Sequence, residues 1–130
     1  MTVVVAAAIV SAGRVLAAQR DYPEELAGRW ELPGGKVEAS DESDVAALIR
    51  ECREELGVTI DVRDRVGADI SGDFTLRVWW AVVASGEAPR PHEHRDLRWL
   101  AADEVDDVDW LPTNRPLVAL LRAGLVDWRG

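Results

Sequence analysis

The chain has 130 residues, 48% of them hydrophobic, and a formal net charge of −9 at neutral pH. That length is enough for a single domain, residues 1–130, with a real core. The acidic balance leaves no basic footprint for a nucleic-acid backbone, and the single cysteine excludes an internal disulfide. An acidic protein can still take a small polyphosphate when a divalent cation supplies the positive charge.

The apolar start, Val3 to Val10, reads as a buried strand. It is too short to cross a bilayer and has no basic region before it, so it is not read as a signal peptide. No membrane partner is expected, and the default expectation is a cytoplasmic monomer or homodimer. Ser11-Ala12-Gly13 is a turn signal, and Arg14 to Gln19 resumes as a second strand. Arg20 follows at its end. It is either a solvated surface residue or a phosphate or base contact, since guanidinium presents a planar fork of donors. Asp21 to Arg29 is polar, contains Pro23 and Gly28, and reads as a loop that can rim a pocket. Trp30 to Gly35 leads into a Gly-rich turn. There Pro33 restricts φ, and Gly34 and Gly35 allow close backbone approach.

A short acidic loop then precedes a helix expected from about Asp44 to Leu56, with Ser43 or Asp44 as N-cap and Gly57 as C-cap. Val45, Leu48, Ile49, Cys52 and Leu56 form its apolar stripe, which makes Cys52 a small buried thiol. Glu51, Glu54 and Glu55 are spaced i, i+3, i+4 and share one edge. Like charges at that spacing cost a few tenths of a kcal/mol per pair. A hard divalent cation such as Mg²⁺ removes the penalty, taking oxygen ligands and completing its shell with water or substrate phosphate. The plain alternative is a solvated acidic face on a surface helix. Arg50 is expected to pair with a loop carboxylate, Glu42 or Asp41, or with Glu51.

Thr59 to Val66 alternates and reads as a half-exposed strand. Ser71-Gly72-Asp73 is a turn. Phe74 to Val83 is a strong strand with Phe74, Leu76, Val78 and Trp80 on one face and Trp79 on the other. Phe74 is a candidate for stacking on a base, with core packing as the plain reading. Ser85 to Pro91 is loop. His92-Glu93-His94 contains a His-x-His pair, but no cysteine or third histidine lies nearby to complete a transition-metal site. Leu97 to Leu100 reads as a strand, and Ala102 to Asp109 as a short helix and solvated acidic loop. A last helix is expected from Leu117 to Ala123, stopped by Gly124. Asn114 has the plain reading of an N-cap. Its amide also carries donors and an acceptor, so it can read a purine edge.

The stretch Arg50-Glu51-Cys52-Arg53-Glu54-Glu55-Leu56-Gly57-Val58, with Gly34-Gly35 ahead of it, resembles the signature of the Nudix hydrolases: Gly, five residues, Glu, seven residues, Arg-Glu-aliphatic-x-Glu-Glu-x-Gly-aliphatic. The second half matches, with Cys52 in the aliphatic slot. In the first half, Glu42 has the required distance from Arg50 and Asp41 the required distance from Gly35, so the loop looks one residue longer than usual. The run Gly28 to Lys36, containing Trp30-Glu31-Leu32-Pro33, is also typical of the family. The resemblance implies the Nudix fold, an α/β architecture with a mixed sheet between helices. It further implies a metal site built from the Gly34 carbonyl, Glu51, Glu54, Glu55 and Glu93, holding Mg²⁺ with Mn²⁺ as a substitute. Glu51, Glu54 or Glu93 would take the proton from water, and Arg50 with Glu42 would orient the acids. Similarity to the MutT branch places Arg20 and Asn114 at the substrate, a small-molecule nucleoside triphosphate split into monophosphate and pyrophosphate, and Glu31, Gly34 and Phe74 are further candidate substrate contacts. Asn114 favours an oxidised guanine nucleotide such as 8-oxo-dGTP, in nucleotide-pool sanitation linked to DNA repair. The alternatives are a CTP or dCTP pyrophosphatase, whose pyrimidine-preferring relatives carry Asp where Asn114 stands, and a Nudix-fold binding module without turnover.

Overall fold

The structure is a computed structural model and describes residues 2–84 and 86–128; Ser85, where the loop to Pro91 begins, lies outside them. Among the described residues, eight strands and two helices follow in the order β1 (Val3–Ser11), β2 (Arg14–Gln19), β3 (Trp30–Glu31), β4 (Gly34–Lys36), α1 (Asp44–Leu56), β5 (Ile60–Arg65), β6 (Ile70–Ser71), β7 (Thr75–Val83), β8 (Asp96–Leu100) and α2 (Val118–Val126). Single 3₁₀ turns cover Ala102–Glu104 and Arg115–Leu117.

β1 is the axis of the sheet. It pairs in parallel with β7 from Val3↔Thr75 to Ile9↔Ala81, and antiparallel with β4 on its other edge. Its end pairs with β2, which carries β3 and β8, so the sheet is mixed. A strand covered on both faces reads as a continuous apolar run, and β1 shows why. Val5, Ala7 and Ile9 enter the core beneath α1, while Ala6, Ala8 and Val10 enter a second core that includes Leu117, Leu121 and Leu125. Helices therefore pack on both sides of one mixed sheet, as expected. β7 divides the same way, with Leu76, Val78 and Trp80 on the α2 side and Trp79 and Ala81 on the α1 side. Phe74 lies just before β7 and packs on the α2-side core.

α1 has the expected bounds and caps. Ser43 Oγ accepts from the Ala46 N–H at 3.0 Å, and Gly57, at φ 69°, donates to the Arg53 carbonyl. Leu48, Cys52 and Leu56 are fully buried along its apolar stripe.

Three features differ from the sequence expectation. The Gly-rich turn is two short strands, because Trp30 and Glu31 pair with Gln19 and Ala18, and Gly34 to Lys36 lie along β1. The two backbones approach so closely that a side-chain carbon on Gly34 would lie 1.9 Å from the Val5 carbonyl oxygen. The last helix does not stop at Gly124 but continues to Val126. Gly124 is there for space, since a side-chain carbon would meet the Trp80 ring at 2.1 Å. Asn114 precedes a 3₁₀ turn and makes no side-chain capping bond to it. Its Oδ1 instead accepts the buried Leu32 N–H at 3.0 Å, tying the turn before α2 to the segment between β3 and β4.

Candidate active site

A pocket of about 530 Å³ opens where β4 meets α1, a size suited to a nucleotide-sized ligand. One wall is the carboxylate edge of α1. Glu51 is brought in by a close approach: a side-chain carbon on Gly35 would sit 2.4 Å from the Glu51 carboxyl carbon, so the bare backbone of β4 leaves room for that acid. The loop before β8 is pinned to the last turn of α1, where the Arg90 and His92 N–H groups donate to the Leu56 and Glu55 carbonyls at 3.0 Å. This carries Glu93 and His94 to the pocket. Arg20, Glu31, Gly34, Phe74 and Asn114 line the same pocket.

Eight sequence-derived candidates thus share one pocket: Arg20, Glu31, Gly34, Glu51, Glu55, Phe74, Glu93 and Asn114. Glu54 is not part of the lining. It stands half exposed on the outer edge of α1, with Arg50 Nη1 donating to it at 3.2 Å. Arg50 also corrects the reading of the loop. Its Nε and Nη2 both donate to Asp41 at 2.9 Å, Nη1 reaches Glu51 at 3.0 Å, and Nη2 reaches the Lys36 carbonyl. Glu42 is exposed, and no bond from it to Arg50 is present among the described residues. The distance from Gly35 decides the partner, because Asp41 closes a tight turn on Glu38: Asp41 Oδ2 accepts the Glu38 N–H at 2.8 Å, and the Asp41 N–H donates to the Glu38 carbonyl. The additional residue falls after this turn, next to the N-cap. The two-pronged bond from Arg50 holds the Asp41 carboxyl well below the usual range, at about 2, and raises the guanidinium pKa in return.

The electrostatics of the carboxylate edge are unbalanced. Burial pushes the Glu55 carboxyl up to about 9, and Glu31, Glu51 and Glu93 add like-charge repulsion. Burial also raises Glu51, against the pull of Arg50. Glu55 Oε2 is buried without a hydrogen-bond partner. Among the described residues no three acid, histidine or cysteine side chains form a ready-made metal cage. The donor set nevertheless fits a hard divalent cation: oxygen ligands only, an orphaned buried carboxylate oxygen, and repulsion that a cation removes. Mg²⁺ commonly relies on one or two carboxylates plus substrate phosphates and water, so a partly formed protein site suits it.

Two residues escaped the sequence reading of the pocket. In the sequence His94 stands only as half of a His-x-His pair, yet the two rings serve different places. His92 packs over Gly57 at the end of α1, and His94 faces the pocket, with Nε2 2.9 Å from Glu31 Oε2. Tyr22 is 62% exposed at the mouth, with the Arg20 guanidinium over its ring at 5.6 Å. No spacing signal marks either residue; the adjacency of Tyr22 to Arg20 and of His94 to Glu93 is the only hint.

A mixed sheet between helices, with a nucleotide-sized pocket edged by helix carboxylates behind a Gly-Gly strand, defines a phosphate-handling hydrolase class. Residues 1–121 match the NUDIX domain, and the chain belongs to this family; it is a Nudix hydrolase. The chain is 52% identical over 122 residues to a Mycobacterium tuberculosis (strain ATCC 25618 / H37Rv) protein provisionally named 8-oxo-dGTP diphosphatase 2, covering 90% of this chain and 85% of that protein. It is 38% identical over 126 residues to the CTP pyrophosphohydrolase of Escherichia coli (strain K12), covering 95% and 93%. Among solved structures, the E. coli ORF135 protein superposes with a TM-score of 0.80 at 34% identity, covering 100% of this chain and 94% of that one. Nudix hydrolases generally use divalent metal ions. No helix among the described residues is long and apolar enough to cross a membrane.

Proposed function

We propose that this chain, acting as one domain, is a Mg²⁺-dependent nucleoside triphosphate pyrophosphohydrolase that releases a nucleoside monophosphate and pyrophosphate, with an oxidised guanine nucleotide such as 8-oxo-dGTP as preferred substrate. The observation that carries the reading is the meeting, in one pocket, of the α1 carboxylate edge with Arg20, Phe74 and Asn114. The 52% identical relative named for 8-oxo-dGTP supports the choice of base.

In this reading the Gly34 carbonyl, Glu51, Glu55 and Glu93 hold the ion from the pocket, and Glu54 joins them from the exposed outer edge of α1. Mg²⁺, when bound, would neutralise phosphate charge and acidify water, and Mn²⁺ would substitute. Arg20 pairs with phosphate or base, and Phe74 gives an apolar face for the base. Asn114 reads the base edge with the second N–H of its amide, since its oxygen accepts from Leu32 and its Nδ2 already donates once, to Thr113 Oγ1 at 3.1 Å. Glu31 holds Arg20 in place at 3.2 Å. Water attacks one phosphorus, a phosphorus–oxygen bond forms, the anhydride bond breaks, and pyrophosphate departs. A carboxylate takes the water proton; Glu51 and Glu54 are the helix candidates and Glu93 the candidate from the facing loop. Arg50, locked by Asp41, orients Glu51 and Glu54.

The second reading is a CTP or dCTP pyrophosphatase, favoured by the 38% identity to the E. coli CTP pyrophosphohydrolase over nearly the whole of both chains. A nucleotide panel with Mg²⁺, scored by pyrophosphate release, separates the two. A higher kcat/KM on 8-oxo-dGTP than on dCTP supports the first reading, and the reverse order replaces it with the second. Binding without turnover of any nucleotide refutes both.

A further inference from the structure

Four side chains from four parts of the chain form a row along the pocket lining. Arg20, after β2, places Nη1 3.2 Å from Glu31 Oε1 on β3. The other Glu31 oxygen lies 2.9 Å from His94 Nε2, and the same nitrogen lies 3.6 Å from Glu55 Oε1 on α1. The His94 and Glu55 side chains are only 5% and 6% exposed. The loop that carries His94 is pinned at both ends: His92 N–H donates to the Glu55 carbonyl at 3.0 Å, and Arg95 N–H donates to the Gln19 carbonyl at 2.8 Å. Its ring is therefore held in register with α1 on one side and β2 on the other. Among the described residues, the two buried polar side-chain atoms left without a partner are Glu55 Oε2 and His94 Nδ1, which belong to this same group. Buried polar atoms are normally satisfied, so an unsatisfied pair beside the carboxylate edge marks a place completed by something bound there.

We propose that His94 is a positioning residue of the active site: its ring, inserted between Glu31 and Glu55, sets the Glu55 carboxylate toward the divalent-metal edge and keeps Glu31 against Arg20. Without that ring Glu31 is held only by the Arg20 guanidinium, whose Nη1 reaches its two oxygens at 3.2 and 3.3 Å, and Glu55 Oε1 loses the ring nitrogen 3.6 Å away. Partners that orient a metal-ligating carboxylate are worth about 10- to 100-fold in metal affinity or activity. The proposal rests on the reading of α1 as the metal edge. It adds a mechanical link between the arginine side of the pocket and the carboxylate side.

The test measures Mn²⁺ affinity by water-proton relaxation, without nucleotide, in the wild type and in His94→Gln, His94→Leu, His94→Ala and Glu54→Gln. It also measures kcat and KM on the preferred nucleotide and the melting temperature. His94→Ala and His94→Leu are expected to weaken Mn²⁺ binding by about tenfold or more and to lower kcat more than they raise KM. His94→Gln, whose amide N–H replaces the Nε2 donor, is expected to recover most of both. Should His94→Leu recover as well as His94→Gln, the ring is only packing and the proposal falls. Wild-type Mn²⁺ affinity in His94→Ala and His94→Leu, with Glu54→Gln impaired, overturns the role of His94 alone. Wild-type affinity and turnover in Glu54→Gln as well would remove the metal edge itself.

Discussion

Gly35→Ala isolates the approach of β4 to α1. The added carbon would lie 2.4 Å from the Glu51 carboxyl carbon and 2.5 Å from one of its oxygens, well inside van der Waals contact. Glu51 must therefore swing away, losing its 3.0 Å bond from Arg50. Little else changes. Gly35 does not have positive φ, so alanine fits the backbone, and the clashing atoms are the end of a flexible side chain. Alanine in place of glycine stabilises by about 0.4–1 kcal/mol through the unfolded chain, and the lost, partly exposed bond costs about 1 kcal/mol. These nearly cancel, so the melting temperature is expected to move by no more than about 4 °C. A reacting group misplaced by about 1 Å costs on the order of 100-fold, equivalent to about 2.7 kcal/mol of barrier. The assay is kcat/KM from pyrophosphate release at saturating Mg²⁺, with a thermal melt on the same sample. Wild-type kcat/KM in a folded Gly35→Ala protein would refute the placement of Glu51 in the chemistry. A large loss of stability would refute the claim that only a side-chain end is displaced.

Other outcomes follow from the same geometry. Gly124→Ala should lower stability by about 1–3 kcal/mol through overpacking against Trp80, despite the better helix propensity of alanine; a stabilised variant in a urea titration would contradict the contact. Asp41 has a folded pKa of about 2, below its unfolded value of about 3.9. Its bond to Arg50 therefore contributes stability that is present above about pH 4 and lost as pH falls toward about 2. Asp41→Asn should flatten the acid limb of a melting-temperature profile between about pH 5 and 2, whereas Glu42→Gln should leave it unchanged; equal effects of the two would refute the choice of Asp41. Cys52 is fully buried, and burial with Glu55 and Glu51 nearby pushes its thiol pKa up. It should resist a thiol reagent in the native protein and react in denaturant, and rapid native labelling would place it outside the core.

What the amino-acid order determines on its own is local. α1, its Ser43 and Gly57 caps, its apolar stripe and the shared edge of Glu51, Glu54 and Glu55 all depend on residues within a few positions of one another, where helical geometry is the only unknown. β1 was legible as a continuous apolar run and the two faces of β7 from their alternation, since neither pattern needs a partner to be read. Tertiary structure decided the rest. Trp30–Glu31 and Gly34–Lys36 become strands only because β2 and β1 lie beside them. The choice of Asp41 over Glu42 turns on how one loop folds back on Glu38. Glu54 shares its helical edge with Glu51 and Glu55, yet only those two reach the pocket, because β4 and the loop before β8 close over the side of the helix that carries them, while Glu54 lies further round. Gly124 reads as a stop until Trp80 is placed against it, and His94 reads as an unremarkable loop histidine until Glu31 and Glu55 are brought to either side of it. Each of these rests on contacts between residues far apart in the chain, and no spacing rule in one sequence carries that information.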